Sequence, residues 1–113
     1  MGPVCEQLES AVSGLLGEQY VTAVPSGSMG LLMALMALGI KPGDEVIVPD
    51  VSFISTAHAP RIIGAKVTLV DVMKNCPLMD LTDLKRKLSS KTKAIIIVHL
   101  YGYGVSLKKL KKI

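Results

Sequence analysis

The sequence predicts an α/β protein with a mainly parallel sheet. Segments with helical spacing of apolar residues alternate along the chain with short apolar runs rich in Val and Ile. These runs, of which residues 94–98 are the clearest, show no alternation of polar and apolar side chains, so both sheet faces are expected to be covered. Strands covered on both faces and separated by helices are typical of parallel sheets with right-handed crossovers.

Each predicted element has a local signal. A helix over residues 4–16 ends at Gly17, and a helix over residues 29–38 ends at Gly39. A Lys-Pro-Gly-Asp turn occupies residues 41–44. Further helices are predicted over residues 52–63, over residues 81–88 with Thr82 as a candidate N-cap, and from about residue 105 onward. The predicted strands are residues 20–24, 45–48, 66–72 and 93–100, and residues 74–77 are predicted to be an irregular loop.

Composition excludes several classes of protein. The chain has 113 residues, enough for one domain, and its 50% hydrophobic content argues against disorder. Four lysines among the last six residues account for the net charge of +4, and no aromatic residues are interleaved with them, so nucleic-acid binding is not expected. The most apolar run, residues 29–40, is far shorter than the ~18 residues that suggest a membrane span. Cys5 and Cys76 have no metal-site spacing and no secretory leader precedes them, which indicates reduced thiols in a cytoplasmic protein and no metal site.

Ligands of parallel sheets bind beyond the carboxyl ends of the strands, and three segments are predicted to lie there: residues 25–28, 49–53 and 99–102. In the first, a strand runs through Ser26, Gly27 and Ser28 directly into a helix, which presents free backbone N–H groups and the positive helix end to a phosphate. An ordinary N-cap serine followed by a permissive glycine would have the same sequence. The segment is neither a Walker loop nor a GxGxxG motif.

Other candidate residues have two interpretations each. Phe53, the only phenylalanine, is predicted to lie near a helix start at the ligand edge, where it would offer a flat face to a planar ring or join the core. His58 and His99 are not spaced as a metal pair and are more often structural. Asp71 ends the third strand and is suited to capping a turn.

Six segments, in order and over nearly the whole chain, resemble the DegT/DnrJ/StrS family of sugar aminotransferases, within the fold-type I enzymes that use pyridoxal 5'-phosphate (PLP). Each motif alone is weak, but their order and spacing together are specific. They are the opening helix with Gly2, Pro3 and Val4, then SGSMGL (26–31), LGIKPGDEVIVP (38–49), SFISTA (52–57), GAKVTLVDV (64–72) and TKAIIIVHLYG (92–102).

The resemblance implies a partial three-layer α/β/α large domain that binds PLP. Gly27 would let the ligand approach the backbone, the amides of Ser28 and Met29 with the Ser28 hydroxyl would hold the phosphate, and Phe53 would stack on the pyridine ring. The sequence departs from the family at His58, where asparagine is frequent, at Asp50, where a small polar residue is frequent, and at Met29–Gly30, where small residues are usual.

The reaction that the resemblance implies is transfer of an amino group, usually from glutamate, to a keto sugar linked to a nucleotide. The family's Schiff-base lysine and its acidic partner lie after the VHLYG segment, beyond Ile113, so no catalytic residue is assigned and residues 1–113 are expected to be an incomplete PLP-binding large domain. A sugar dehydratase of the same family, with histidine in place of the lysine, and a non-catalytic α/β domain that binds a phosphate ligand are the alternatives. The resemblance further implies a cytoplasmic homodimer that serves polysaccharide biosynthesis.

The same resemblance has a consequence for folding. In fold-type I enzymes the first strand lies at one edge of the large sheet, and later strands separate it from the second, third and fourth. Residues 20–24 are therefore expected to lack their neighbour, and the 113 residues alone are expected to expose apolar edges and to aggregate or remain molten.

Overall fold

The computed structural model describes residues 2–113, which form five helices, five strands and one 3₁₀ turn. The helices are α1 (Pro3–Leu16), α2 (Gly27–Ala37), α3 (Ser55–Ile62), α4 (Leu81–Lys87) and α5 (Leu107–Leu110). The strands are β1 (Glu45–Pro49), β2 (Lys66–Val70), β3 (Val72–Met73), β4 (Cys76–Met79) and β5 (Thr92–Ile95), and Leu100–Gly102 form the 3₁₀ turn.

Three of the strands form a parallel sheet in the order β2-β1-β5, which confirms the predicted class. Glu45 pairs with Lys66 at one end of β1, and Pro49 pairs with Val70 at the other. All five residues of β1 are buried, as expected for a central strand covered on both faces.

Helices on the two faces of the sheet produce three layers. Val46 and Val48 of β1 face a core that includes Leu35 of α2 and Ala59 of α3. Ile47 points to the opposite face, where a second core forms with Val70, Met79 and Leu84 of α4. The continuous apolar run of β1 is thus divided between two cores by the alternation of side chains along a strand.

The prediction of a strand over residues 20–24 is wrong. This segment has no regular structure, Tyr20 is 86% exposed, and the Ala23 N–H donates to a Glu9 carboxylate oxygen at 2.7 Å. A β-branched run becomes a strand only where it finds a ladder partner, and no strand of residues 2–113 lies beside this one.

Element boundaries differ from prediction wherever tertiary pairing decides them. The strand predicted over residues 66–72 ends at Val70, and the predicted loop 74–77 instead lies within an antiparallel hairpin of β3 and β4. The strand predicted over residues 93–100 corresponds to β5, which ends at Ile95. The Ile96 N–H still donates to the Ile47 carbonyl at 2.9 Å, but Pro49 has no N–H with which to continue the ladder. The cap of α4 is Asp80, which accepts from the Thr82 N–H at 2.8 Å, and not Thr82 itself.

Two helices begin later in the chain than predicted. Residues 52–54 form a turn before α3 begins at Ser55, and α5 begins at Leu107 after the Ser106 cap. The turn matters for the site because it places Phe53 outside the helix.

The N-terminal part of the chain packs poorly. Helix α1 forms as predicted but buries none of its residues, and Leu15 is 84% exposed. The accessible surface of 7869 Å² exceeds the roughly 6000 Å² typical of a folded 12.0 kDa protein. The radius of gyration of 15.6 Å likewise exceeds the ~13 Å expected for this length.

Among the described residues, no helix combines the length and the apolar character that crossing a membrane requires.

Candidate functional site

A cleft opens where the N-terminus of α2 meets the carboxyl ends of β1 and β5. It has a volume of about 500 Å³, within the ~300–1,000 Å³ usual for small-molecule sites. All three segments predicted to lie at the ligand edge contribute to it. Residues 49–53 and 99–102 follow β1 and β5, whose carboxyl ends share one edge of the sheet, whereas residues 25–28 reach this edge as the start of α2. The lining residues are Gly27, Ser28, Leu31, Ser52, Phe53, Ser55, Thr56 and residues 96–100.

The N-terminus of α2 has the features of an anion site. Ser26 caps the helix, since its Oγ accepts from the Met29 N–H at 3.3 Å and its carbonyl accepts from the Gly30 N–H at 2.9 Å. The N–H groups of Gly27 and Ser28 have no partner within the helix, as for any first turn. A Cβ added at Gly27 would meet no atom within 4 Å, so the space beside this residue is open. Gly27 and Ser28 both line the cleft, which therefore includes the positive end of the helix.

Phe53 forms the opposite wall. Its position in the turn before α3 leaves the residue 70% exposed, and Phe53 lines both the cleft and a smaller cavity beside it. The turn is fixed by the Thr56 N–H, which donates to the Phe53 carbonyl at 3.0 Å, and by the hydroxyls of Ser52 and Thr56, 2.7 Å apart. The core interpretation of Phe53 is wrong, and its exposed face remains accessible to a planar ligand.

His99, for which the sequence favours a structural role, also lines the cleft. It follows β5, and its Nδ1 accepts from the Val105 N–H at 3.0 Å. The signal available in the sequence was its place at the carboxyl end of a predicted strand, which does not reveal how the ring is held.

The remaining sequence candidates lie outside the cleft. The side chains of Met29 and His58 line the adjacent cavity of about 220 Å³. Asp71 lies between β2 and β3 and accepts from the Val72 N–H at 2.8 Å, so it does not cap the turn, which is formed by Lys74 and Asn75. Cys5 and Cys76 are free thiols. Among residues 2–113 no group of His, Cys, Asp and Glu is suited to hold a metal ion.

A buried carboxylate with a strongly lowered pKa lies at the end of the sheet opposite the cleft. Glu45 begins β1, is buried, and accepts from the hydroxyls of Thr92 at 2.7 Å and of Ser89 and Thr68 at 2.9 Å each. The Thr92 hydrogen bond is the largest cause that lowers the pKa of Glu45 from 4.5 to about 2, against the opposing effect of burial. Lys66 adds an ion pair at 3.6 Å. Every Glu45 acceptor is satisfied by the protein, so this carboxylate has a structural role.

A second buried carboxylate ties α4 to the end of β2. Asp83 pairs with Lys87 at 2.8 Å and with Arg86 at 3.0 Å, and it accepts from the Asp71 N–H at 2.9 Å. The hydrogen bond from Lys87 is the main reason that the pKa of Asp83 is lowered from 3.8 to about 2. This group is also structural, since it lies outside the cleft.

The sequence profile of the DegT/DnrJ/EryC1/StrS aminotransferase family matches residues 1–113. The chain belongs to this family. GDP-perosamine synthase of Escherichia coli O157:H7 is 41% identical over 92 residues, which cover 81% of this chain and 25% of that protein. The family assignment confirms the resemblance drawn from the six motifs.

Solved structures of the family have the same fold as this chain. NtdA from Bacillus subtilis with bound cofactor PMP (pyridoxamine 5'-phosphate) is 35% identical, with a TM-score of 0.92 over 99% of this chain and 26% of that one. A GDP-4-keto-6-deoxymannose-3-dehydratase with a trapped PLP-glutamate geminal diamine is 33% identical, with a TM-score of 0.90 over 99% of this chain and 31% of that one. The described α/β domain is thus part of a fold-type I domain, and the chain spans between a quarter and a third of the length of these relatives.

Proposed function

We propose that this chain provides the phosphate-binding and ring-binding part of the PLP site of a nucleotide-sugar aminotransferase. The observation that carries the proposal is that the helix N-terminus at Gly27 and Ser28 and the exposed ring of Phe53 line one cleft. Membership of the family and likeness to structures that hold PMP and PLP support the same cofactor here.

The residues of the cleft fit PLP. Gly27 and Ser28 supply two unused N–H donors, and the exposed Ser28 hydroxyl can add a third contact to the phosphate. The Met29 N–H is already engaged with Ser26 Oγ at 3.3 Å, a long hydrogen bond that a phosphate oxygen would have to replace. Phe53 supplies an apolar face for the ring. Met29 is therefore the weakest member of the proposed cofactor set.

When bound, PLP supplies an electron sink for chemistry at the amino-bearing carbon. The residues of this chain anchor the phosphate, restrict the ring between α2 and the turn before α3, and keep one wall of the site apolar. No lysine is among the residues that line the cleft. We expect the covalent lysine and the acidic partner of the ring nitrogen to come from the part of the fold that follows VHLYG in the family.

We further propose glutamate as the amino donor and a nucleotide-linked keto sugar as the acceptor. The similarity to GDP-perosamine synthase supports a nucleotide-sugar substrate. A homodimer in the cytoplasm that contributes to polysaccharide biosynthesis is the setting that the family resemblance implies.

The proposal is tested by titrating the full-length gene product with PLP and following the absorbance of the cofactor. Ser28→Ala should weaken binding by about 10- to 100-fold, because it removes a hydrogen bond to a charged group. Ser28→Thr, which keeps the hydroxyl, is the matched control. Phe53→Leu should weaken binding by about 2- to 10-fold through loss of the aromatic face, and Phe53→Tyr should not.

Failure of the folded wild-type protein to bind PLP would refute the proposal and favour a non-catalytic domain for another phosphate ligand. Wild-type affinity in Ser28→Ala and Phe53→Leu would place the cofactor elsewhere.

A sugar dehydratase is the second candidate, supported by the TM-score of 0.90 to a family member with that activity. Incubation with ¹⁵N-glutamate and a nucleotide-linked 4-keto sugar separates the two reactions. An aminotransferase transfers ¹⁵N to the sugar, whereas a dehydratase yields a sugar that has lost an oxygen and carries no nitrogen label.

A further inference from the structure

The cleft contains one titratable side chain among the described residues that line it, and this is His99. It lies at the carboxyl end of β5, while Ser28 and Phe53 reach the same cleft from α2 and from the turn after β1. The rest of the wall is apolar except for backbone groups and the hydroxyls of Ser28, Ser52, Ser55 and Thr56. In a mostly apolar cleft, a few placed polar groups fix the orientation of the ligand.

The imidazole of His99 is held in one tautomer. A backbone N–H can only donate, so the Val105 N–H at 3.0 Å makes Nδ1 the acceptor. In the neutral ring the proton then resides on Nε2, which is the free hydrogen-bond donor. Val105 itself is buried, so the partner that orients the ring is fixed by packing.

The loop that joins His99 to Val105 is tightly wound. The Gly102 N–H donates to the His99 carbonyl at 3.3 Å, and the Tyr103 N–H donates to the Leu100 carbonyl at 3.0 Å. Tyr101 has a φ of 54° and is 84% exposed. Backbone in this left-handed region costs a non-glycine residue about 1–2 kcal/mol, and such strain concentrates at functional sites. The loop therefore holds the His99 ring at the cleft at a conformational cost.

We propose that His99 is a ligand-binding residue that donates a hydrogen bond from Nε2 to an acceptor oxygen of the molecule in the cleft. That oxygen belongs either to the PLP ring or to the sugar substrate, and the chemistry required is the same. The inference rests on the proposed function and assigns a role to a residue beyond the phosphate and stacking contacts. The Val105 N–H fixes the ring, and His99 is exposed, so its Nε2 is accessible to a ligand.

Two substitutions separate ligand binding from loop structure, because one keeps a hydrogen-bonding group near the position of Nδ1 and the other keeps one near the position of Nε2. His99→Asn places an amide oxygen near the position of Nδ1, so it keeps the acceptor for Val105 and loses the donor at the Nε2 position. His99→Gln extends to the Nε2 position, so it keeps a donor there and loses the contact with Val105. Both are compared with the wild type as full-length gene products, with PLP affinity, KM for the nucleotide sugar and thermal midpoint measured for each.

If His99 binds the cofactor, His99→Asn weakens PLP binding by about 3- to 10-fold and leaves the thermal midpoint of the apoprotein unchanged. If it binds the substrate, the same variant keeps its PLP affinity and raises KM by a similar factor. In either case His99→Gln lowers the thermal midpoint and binds better than His99→Asn.

The inference is overturned if His99→Asn keeps both PLP affinity and KM while His99→Gln alone is impaired, since His99 would then act only on the loop. A wild-type protein that binds no PLP would instead refute the proposed function, so the two failures are distinguishable.

Discussion

Replacing Glu45 by glutamine tests whether a buried carboxylate fixes the start of the central strand. The carboxylate accepts hydroxyl hydrogen bonds from three different segments, through Thr68 of β2, Ser89 in the loop after α4, and Thr92 of β5. It therefore joins all three parallel strands, at the start of β1 and β5 and at the middle of β2. Glutamine has nearly the same shape, so the substitution removes the charge without creating a cavity.

The magnitude follows from the lowered pKa. The ordinary value of 4.5 and the folded value of about 2 differ by about 2.5 units, which corresponds to at most about 3 kcal/mol of stability for the ionised group. Because the folded pKa is the lower one, this contribution is complete above pH 4.5 and is lost as the pH falls through about 2. At pH 3 about 1.4 kcal/mol would remain.

The assay is urea unfolding of the full-length gene product at a series of pH values between 7 and 3. We expect Glu45→Gln to reduce the free energy of unfolding at pH 7 by about 1–3 kcal/mol, and we expect the difference from the wild type to shrink as the pH falls below 4.5. The exposed Glu18→Gln serves as the control and should leave the curve unchanged. A difference that is equal at pH 7 and pH 3 would refute the electrostatic account.

Three further outcomes are expected. Asp83→Asn removes both ion pairs and should lower the thermal midpoint. The difference from the wild-type midpoint should shrink as the pH falls below 3.8, because the pKa of Asp83 in the folded protein is lowered from 3.8 to about 2. Lys85→Gln, on the same helix, should have no effect. Leu84→Ala should cost about 2–5 kcal/mol in urea unfolding because Leu84 is fully buried, whereas Leu15→Ala, at 84% exposure, should be neutral. The 113 residues alone should bind a hydrophobic dye and show no sharp calorimetric transition, and a cooperative melt would contradict this expectation.

The location of the site could be predicted from the sequence because it depends on topology. Once the strands are known to be parallel, their carboxyl ends must share an edge, and the segments with Phe53 and His99 must meet there. Ser28 lies at the same edge although the strand predicted before it is absent, because it begins the helix α2. The strand at residues 45–48 is also predicted from the sequence, since an apolar run without alternation suits a strand buried on both faces. Local pattern and global fold agree at these positions.

The errors lie where pairing with a distant segment decides the structure. Residues 20–24 have the composition of a strand, but a strand needs a neighbour, and none is provided by residues 2–113. Residues 74–77 have Asn and Pro and suggest a loop, yet Cys76 pairs with Met73 in a hairpin. The lowered pKa of Glu45 could not be predicted either, because its partner Thr92 lies 47 positions away in the sequence. The main partner of Asp83 is Lys87, four residues further along the same helix.

The two ends of β1 have different roles, since its first residue stabilises the sheet and its last residue leads into the ligand site. The carboxylate of its first residue, Glu45, makes all its hydrogen bonds to the protein. The three middle residues, Val46, Ile47 and Val48, pack into the two cores. The turn after Pro49 places Phe53 at the cleft. Four residue steps of about 3.3 Å place these ends roughly 13 Å apart. A strand fixed along its whole length holds the ligand edge before any ligand arrives, and such preorganisation reduces the entropy lost on binding. It follows that Glu45→Gln should reduce stability without changing PLP affinity in the folded protein, whereas Phe53→Leu should do the reverse.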